Sequence, residues 1–185
     1  MGSRIKSVNN KSDTSENTVE SHKNTVRAFL QTHGEVVSKK ALRAGTDVPA
    51  WYITQISSTD AFYTSLNHNG KYIATKHIVG HRSTHDGFWR PEVDDGTAVF
   101  HRKETTKATL KHLSFRRPSG LTPTEARDLL DRQCYRPLRK LSENEEVYAT
   151  DWNNTTVYTH SWPSRRDDQL SQRQTDQPTA ATPDD

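Results

Sequence analysis

The residues of this sequence best suited to chemistry are basic side chains concentrated in one segment. Between His101 and Lys140 there are only four acidic residues against eleven basic ones: Arg102, Lys103, Lys107, Lys111, Arg116, Arg117, Arg127, Arg132, Arg136, Arg139 and Lys140. From Ser142 onward the balance reverses, with nine acidic residues against three arginines. A basic block followed by an acidic segment favours a polyanionic partner such as nucleic acid, although charge runs can also be solvated helix faces.

Histidines and one cysteine are the other reactive side chains. The histidines that suggest a metal site are His77, His81, His85 and His101. The polar residues around His81 and His85 predict a loop, and no thiolate assists them, so we expect no metal there. Cys134 is the only cysteine. It stands at the start of a predicted helix, where a thiol pKa can be lowered, but we expect a half-buried structural residue rather than a nucleophile. With no HExxH motif and no Gly-rich phosphate loop, we predict a non-enzyme without cofactors.

Length and composition limit the architecture. The chain has 185 residues, of which 30% are hydrophobic and 26% charged, with a mean hydropathy of −0.98. This is too little apolar material for one large core and suits two small helical units. No apolar run approaches the roughly 20 residues needed to span a bilayer, and residues 1–20 lack the apolar stretch of a signal peptide. We therefore expect a cytoplasmic protein.

The order of sequence features predicts two units of similar organisation in an α+β fold that is mainly helical with small β-hairpins. The expected boundaries are a disordered segment 1–23, a first unit 24–91, a linker 92–97, a second unit 98–163 and a disordered acidic tail 164–185. The two end segments are polar and have little to bury, and the linker is acidic and turn-rich.

The second unit has the clearer signals. A first helix is predicted over 106–115. A short helix over 123–130 is opened by Thr122 and Glu125 in a capping box, with Pro123 at its first position. A third helix, over about 135–142, buries Leu138 and Leu141, and Pro137 must lie in its first turn. Two strands are predicted after it, over 147–150 and 156–160.

The first unit shows the same order. The predicted helices span 25–32, 39–44 and 48–57. Ser38 is expected to cap the second helix and Asp47 the third, while Trp51, Ile53 and Ile56 are available for burial.

A hairpin is expected after these helices, because Asn69-Gly70 between two alternating segments is a strong hairpin signal. Its predicted strands span 61–66 and 71–79, and Lys71, Lys76 and Arg82 would make it basic.

Helix, short helix, helix and hairpin is the order of a winged helix-turn-helix unit, whose third helix enters the major groove of duplex DNA while the hairpin contacts the backbone. Cations on the outward side of that helix suit phosphates and guanine edges. The candidate DNA-binding residues are Arg136, Arg139, Lys140, Arg132, Lys107, Lys111, Lys71, Lys76, Arg82, Gln55 and Thr54.

Three short motifs extend this interpretation. They are Gly87-Phe88-Trp89-Arg90-Pro91, then Ala98-Val99-Phe100 with Arg102 leading into Thr109-Leu110-Lys111, then Gly120-Leu121-Thr122. Over residues 25–160 the chain resembles archaeal tandem winged helix-turn-helix DNA-binding proteins, similar to the N-terminal DNA-binding region of archaeal transposase-like proteins. In those relatives a long domain with three spaced carboxylates follows, whereas only the acidic tail follows here. The resemblance therefore implies DNA binding without strand transfer, in transcription regulation or as an accessory of a mobile element.

Two other functions remain open at this point. Winged helices also bind proteins, and an acidic tail can recruit a protein partner. Binding of single-stranded nucleic acid or RNA is the other. The third helix discriminates between duplex DNA binding and protein binding, since exposed cations favour nucleic acid and exposed apolar anchors favour a protein partner.

Overall fold

The structure is a computed structural model that describes residues 11–56 and 61–176. The first unit is a set of helices against a three-stranded antiparallel sheet, in which β3 lies between β1 and β2. Its elements are α1 (Lys11–His33), β1 (Val36–Ser38), α2 (Lys39–Gly45), α3 (Ala50–Gln55), β2 (Phe62–Thr64), β3 (Tyr72–Thr75) and α4 (Lys76–Arg82). The sheet and helices enclose an apolar core that includes Val26, Leu30, Leu42, Ile53, Phe62 and Ile73.

Side-chain caps fix where the short helices of this unit begin. As predicted, the Ser38 hydroxyl caps α2, accepting from the Ala41 N–H at 3.0 Å. Thr75 caps α4 in the same way, so the predicted strand over 71–79 is wrong beyond Thr75. The predicted Asp47 cap is also wrong, because α3 begins after Pro49, which makes no side-chain capping bond.

A structured hairpin occupies the place of the predicted linker 92–97. Its outer strands are β4 (Phe88–Trp89) and β7 (Phe100–His101), and its inner strands are β5 (Glu92–Val93) and β6 (Gly96–Thr97). Side chains alternate between its faces. Phe88 and Val99 enter the core of the second unit, while Ala98 and Phe100 pack with tyrosines of the first unit's sheet. The segment therefore joins the two units by packing, not as a free linker.

The second unit contains three helices, a hairpin and a final helix. Its elements are α5 (Thr106–Arg116), α6 (Pro123–Leu130), α7 (Tyr135–Glu143), β8 (Tyr148–Trp152), β9 (Thr155–Thr159) and α8 (Pro163–Asp176). The predicted capping box is present: the Thr122 N–H donates to Glu125 Oε2 at 2.8 Å, and the Glu125 N–H donates to Thr122 Oγ1 at 3.2 Å. Pro137 lies in the first turn of α7, and Leu138 and Leu141 are fully buried.

The two units share one order of elements and one order of pairing. In the first unit β1 pairs with β3, the second strand of the hairpin; in the second unit Leu121 alone bridges Tyr158 in β9. Gly120 makes this approach possible. It has a φ of +70°, and a Cβ there would lie 2.9 Å from side-chain carbons of Val157 and Thr159. The fold is thus mixed α+β with small antiparallel sheets, as predicted.

Both predicted disordered ends contain ordered helix within the described residues. Segment 1–23 overlaps α1, in which Val19 packs against the first core. Segment 164–185 overlaps α8, whose anchors are the buried polar side chains Gln169 and Arg173. A search for apolar residues misses such anchors. Residues 1–10 and 177–185 lie outside the described residues. No helix in the described part of the chain is both long and apolar enough to cross a membrane.

Candidate nucleic-acid interface

The outward side of α7 carries three cations. Arg136, Arg139 and Lys140 are all exposed, because Leu138 and Leu141 turn the opposite side of the helix into the core. Arg139 forms an i,i+4 ion pair with Glu143 at 3.0 Å, and both side chains are more than half exposed. Such a pair contributes little and leaves the guanidinium accessible. Within the described residues, Arg136 and Lys140 have no ion-pair partner. This side of α7 is therefore a cationic surface.

A groove of about 600 Å³ lies beside the start of α7. Its lining includes Pro123, Tyr135, Trp152, Asn153, Asn154 and Thr156. Asn153 and Asn154 form the tight turn between β8 and β9, and both have positive φ, at 43° and 62°. The groove thus places the polar hairpin tip next to Tyr135, which is 52% exposed. The sequence predicts a polar turn between these two strands, and the turn is present, but its asparagines were not among the candidate DNA-binding residues.

Two other candidates of the second unit, Lys107 and Lys111, both form ion pairs with the Glu146 carboxylate. Their amino groups lie 2.5 and 3.2 Å from the oxygens of Glu146. Hydrogen bonds from Lys107 and then Lys111 lower the pKa of Glu146. Much of the positive charge of α5 is therefore balanced within the protein.

The three basic candidates near the first hairpin are paired as well. Lys71 forms an ion pair with Asp95, Lys76 with Glu104 at 2.6 Å, and Arg82 with Glu35 at 2.8 Å. The hydrogen bond to Asp95 is the main cause that raises the pKa of Lys71. These partners are 24 to 47 residues away in sequence, so the pairing has no local sequence signal.

Arg132 points toward the first unit. It is half-buried, and its Nη1 group donates to the carbonyl of Leu66 at 2.7 Å and to Thr106 Oγ1 at 3.0 Å. Leu66 itself is buried in the core of the second unit. The loop of the first hairpin is therefore packed against the second unit.

The third helix of the first unit presents a different surface. Thr54 and Gln55 are exposed on α3, and Thr54 Oγ1 donates to the Ala50 carbonyl at 2.9 Å. Trp51, which we expected to be buried, is 53% exposed and forms edge-to-face contacts with His22 and Tyr52. The outward side of α3 carries no Lys or Arg among the described residues.

His77, His81 and His85 are exposed, whereas His101 and Cys134 are buried. His77 and His81 lie four residues apart on α4, with ring centroids 6.4 Å apart. Nowhere in the described ranges do three or more metal-ligating side chains form a group that could hold an ion. Cys134 is buried, its thiol donates to the Arg132 carbonyl at 3.2 Å, and burial raises its pKa to about 11. Such a thiol is inert near neutral pH.

Comparisons with known proteins add no relatives: no family model matches the chain, and no curated protein or solved structure matches it.

Proposed function

We propose that the chain binds double-stranded DNA in a sequence-specific manner through α7 of the second unit. In this proposal both units are winged helix-turn-helix units, and the protein acts as a transcriptional regulator or as an accessory of a mobile element. The observation that carries the proposal is the cationic outward side of α7, formed by Arg136, Arg139 and Lys140. The function is one of binding rather than catalysis.

The neighbourhood of α7 supports a duplex ligand. A helix with exposed cations on one side and leucines on the other can enter a major groove while it stays anchored in the core. The hairpin tip at Asn153 and Asn154 lies beside the same surface. From there its uncharged side-chain donors can contact the phosphate backbone of a bound duplex. Arginines on such a helix can donate two hydrogen bonds to a guanine edge.

Selection of bound sites from a random duplex pool, followed by titration at several salt concentrations, tests the proposal. If the three cations of α7 contact three phosphates, log K should fall against log salt with a slope of about −3. A slope of about −10 would follow instead if all eleven cations of the basic block contacted phosphates. Duplex binding that is absent at low salt would refute the proposal.

A second candidate function, for the first unit, is protein binding. The exposed Trp51 on α3 is an apolar anchor of the kind found at the centre of protein interfaces. Because the proposed DNA-binding surface is on α7, Trp51→Ala should keep the wild-type duplex affinity; a loss of duplex affinity in this variant would place DNA contacts on α3 and argue against a protein-binding role for that helix.

A further inference from the structure

The loop that joins β2 to β3 packs into the core of the second unit. Leu66 is 3% exposed and belongs to the second unit's core, and its N–H donates to the Val99 carbonyl at 2.6 Å. The next residue, Asn67, is 2% exposed. A loop that would be free in an isolated hairpin is thus a buried contact between the units.

Every hydrogen of the Asn67 side-chain amide is used across this contact. Its Nδ2 group donates to the Thr97 carbonyl at 2.8 Å and to Asp131 Oδ2 at 3.1 Å, while its Oδ1 accepts from the Val99 N–H at 2.9 Å. One amide therefore holds the connecting hairpin and the turn between α6 and α7. Removing it would leave the buried Val99 N–H without this acceptor, which is costly.

The turn held in this way is the one that starts α7. Asp131 ends α6 in a left-handed conformation with a φ of 48°, and Arg132 donates back to the carbonyl of Leu66 at 2.7 Å. Only Gln133 and the buried Cys134 separate Arg132 from the first residue of α7. We call Leu66, Asn67, Asp131 and Arg132 the inter-unit clamp.

We propose that Asn67 is a positioning residue of the first unit that sets the placement of α7 through Asp131, and so controls how well α7 discriminates between duplex sequences. This inference rests on the proposed function. It assigns the first hairpin a role in orienting the DNA-reading helix instead of contacting DNA. The placement of α7 should depend on the clamp because the helix has only nine residues, so a shift of its first turn moves the whole helix.

An exchange of the two side chains tests the clamp in the full-length protein. Asn67→Asp places a second carboxylate against Asp131 and removes both donated hydrogen bonds. In the double variant Asn67→Asp, Asp131→Asn, the new amide at 131 can donate to the new carboxylate at 67, which can still accept from the Val99 N–H, while the bond to the Thr97 carbonyl stays lost. Val37→Ala, in the core of the first unit, is the control for a general loss of stability.

Two measurements are made well below the melting temperature of each variant. One is the ratio of affinities for a selected duplex and a random duplex; the other is amide hydrogen exchange over residues 131–143. Asn67→Asp should lower the affinity ratio about fivefold or more and speed exchange at the start of α7. The double variant should recover part of both, since it restores the hydrogen bond between positions 67 and 131 but not the one to Thr97, and Val37→Ala should change neither.

The outcomes separate this inference from the proposed function. A wild-type affinity ratio in Asn67→Asp, or failure of the double variant to recover, would overturn the clamp while leaving DNA binding in place. If the wild-type protein binds no duplex, the proposed function fails. The clamp is then decided by exchange alone: fast exchange in Asn67→Asp with recovery in the double variant supports a positioning role for α7, and unchanged exchange overturns it.

Discussion

Lowering the pH from 7 to 5 should destabilise the protein through His101. This side chain is 2% exposed, and its Nδ1 accepts from the Lys103 N–H at 2.9 Å. That bond requires an unprotonated Nδ1, and Nε2 is buried without a partner among the described residues. Burial, and then the charge of His112, lowers the pKa of His101 to about 4.

The magnitude follows from the difference between the folded and unfolded pKa values. An unfolded histidine titrates near 6.5, above the folded pKa of about 4. The unfolded chain therefore takes up the proton first as the pH falls. The contribution of His101 to the free energy of unfolding is therefore complete above pH 6.5. It is lost progressively as the pH falls toward 4, at about 1.4 kcal/mol per pH unit. Between pH 6.5 and pH 5 the free energy of unfolding should fall by about 2 kcal/mol from this group.

Urea unfolding at a series of pH values measures this loss. His101→Asn removes the titration but keeps an acceptor for the Lys103 N–H, because the amide oxygen can take the place of Nδ1. The variant should be less stable than wild type at pH 7 and should lose less stability on acidification. His81→Gln, at an exposed position of α4, is the control for replacing a histidine and should cost little stability at pH 7. Parallel pH curves for wild type and His101→Asn would refute the reasoning.

The remaining predictions concern α7 and α8. Arg136→Ala should reduce the discrimination between a selected duplex and a random one by ~1–3 kcal/mol, whereas Lys140→Ala should lower the affinity for both duplexes alike. Anisotropy titrations measure both affinities. Wild-type discrimination in Arg136→Ala would exclude base reading by that residue. Leu141→Ala should cost 2–5 kcal/mol of stability, roughly, and lose binding only through unfolding, so full duplex affinity is expected for its folded fraction. Arg173→Ala should destabilise the fold by about 1–3 kcal/mol, because Arg173 is buried and donates to both oxygens of Glu125. An unchanged urea midpoint would show that this ion pair does not stabilise α8.

Local signals in the sequence predict those parts of the fold that depend on neighbouring residues. The capping box at Thr122 and the Ser38 cap each join atoms three residues apart. The same holds for the outward cations and buried leucines of α7, since helical periodicity places them on opposite sides. The candidate site could therefore be predicted from the sequence of residues 135–142 alone.

Features that depend on contacts between distant residues could not be predicted from the sequence. Lys71 appeared to be a free cation of the hairpin, but its partner Asp95 belongs to a segment that we expected to be a linker. Helix α8 appeared to have nothing to bury because its contacts are polar: Gln169 donates to the carbonyls of Ser114 and Arg117, more than 50 residues earlier. Hydrogen bonds of this kind follow from tertiary placement and leave no periodic pattern in the sequence.

The two units share an order of elements but differ in what they expose, and this difference argues for a division of roles. In the second unit, the third helix presents cations and the hairpin tip at Asn153 and Asn154 stands beside them. In the first unit, the third helix presents Trp51 and the hairpin loop is buried at Asn67. Under the proposed function, a second DNA-reading unit would need both its third helix and its hairpin accessible. In the first unit the hairpin loop is instead buried against the turn from which α7 begins, so we propose a single DNA-reading surface, on the second unit.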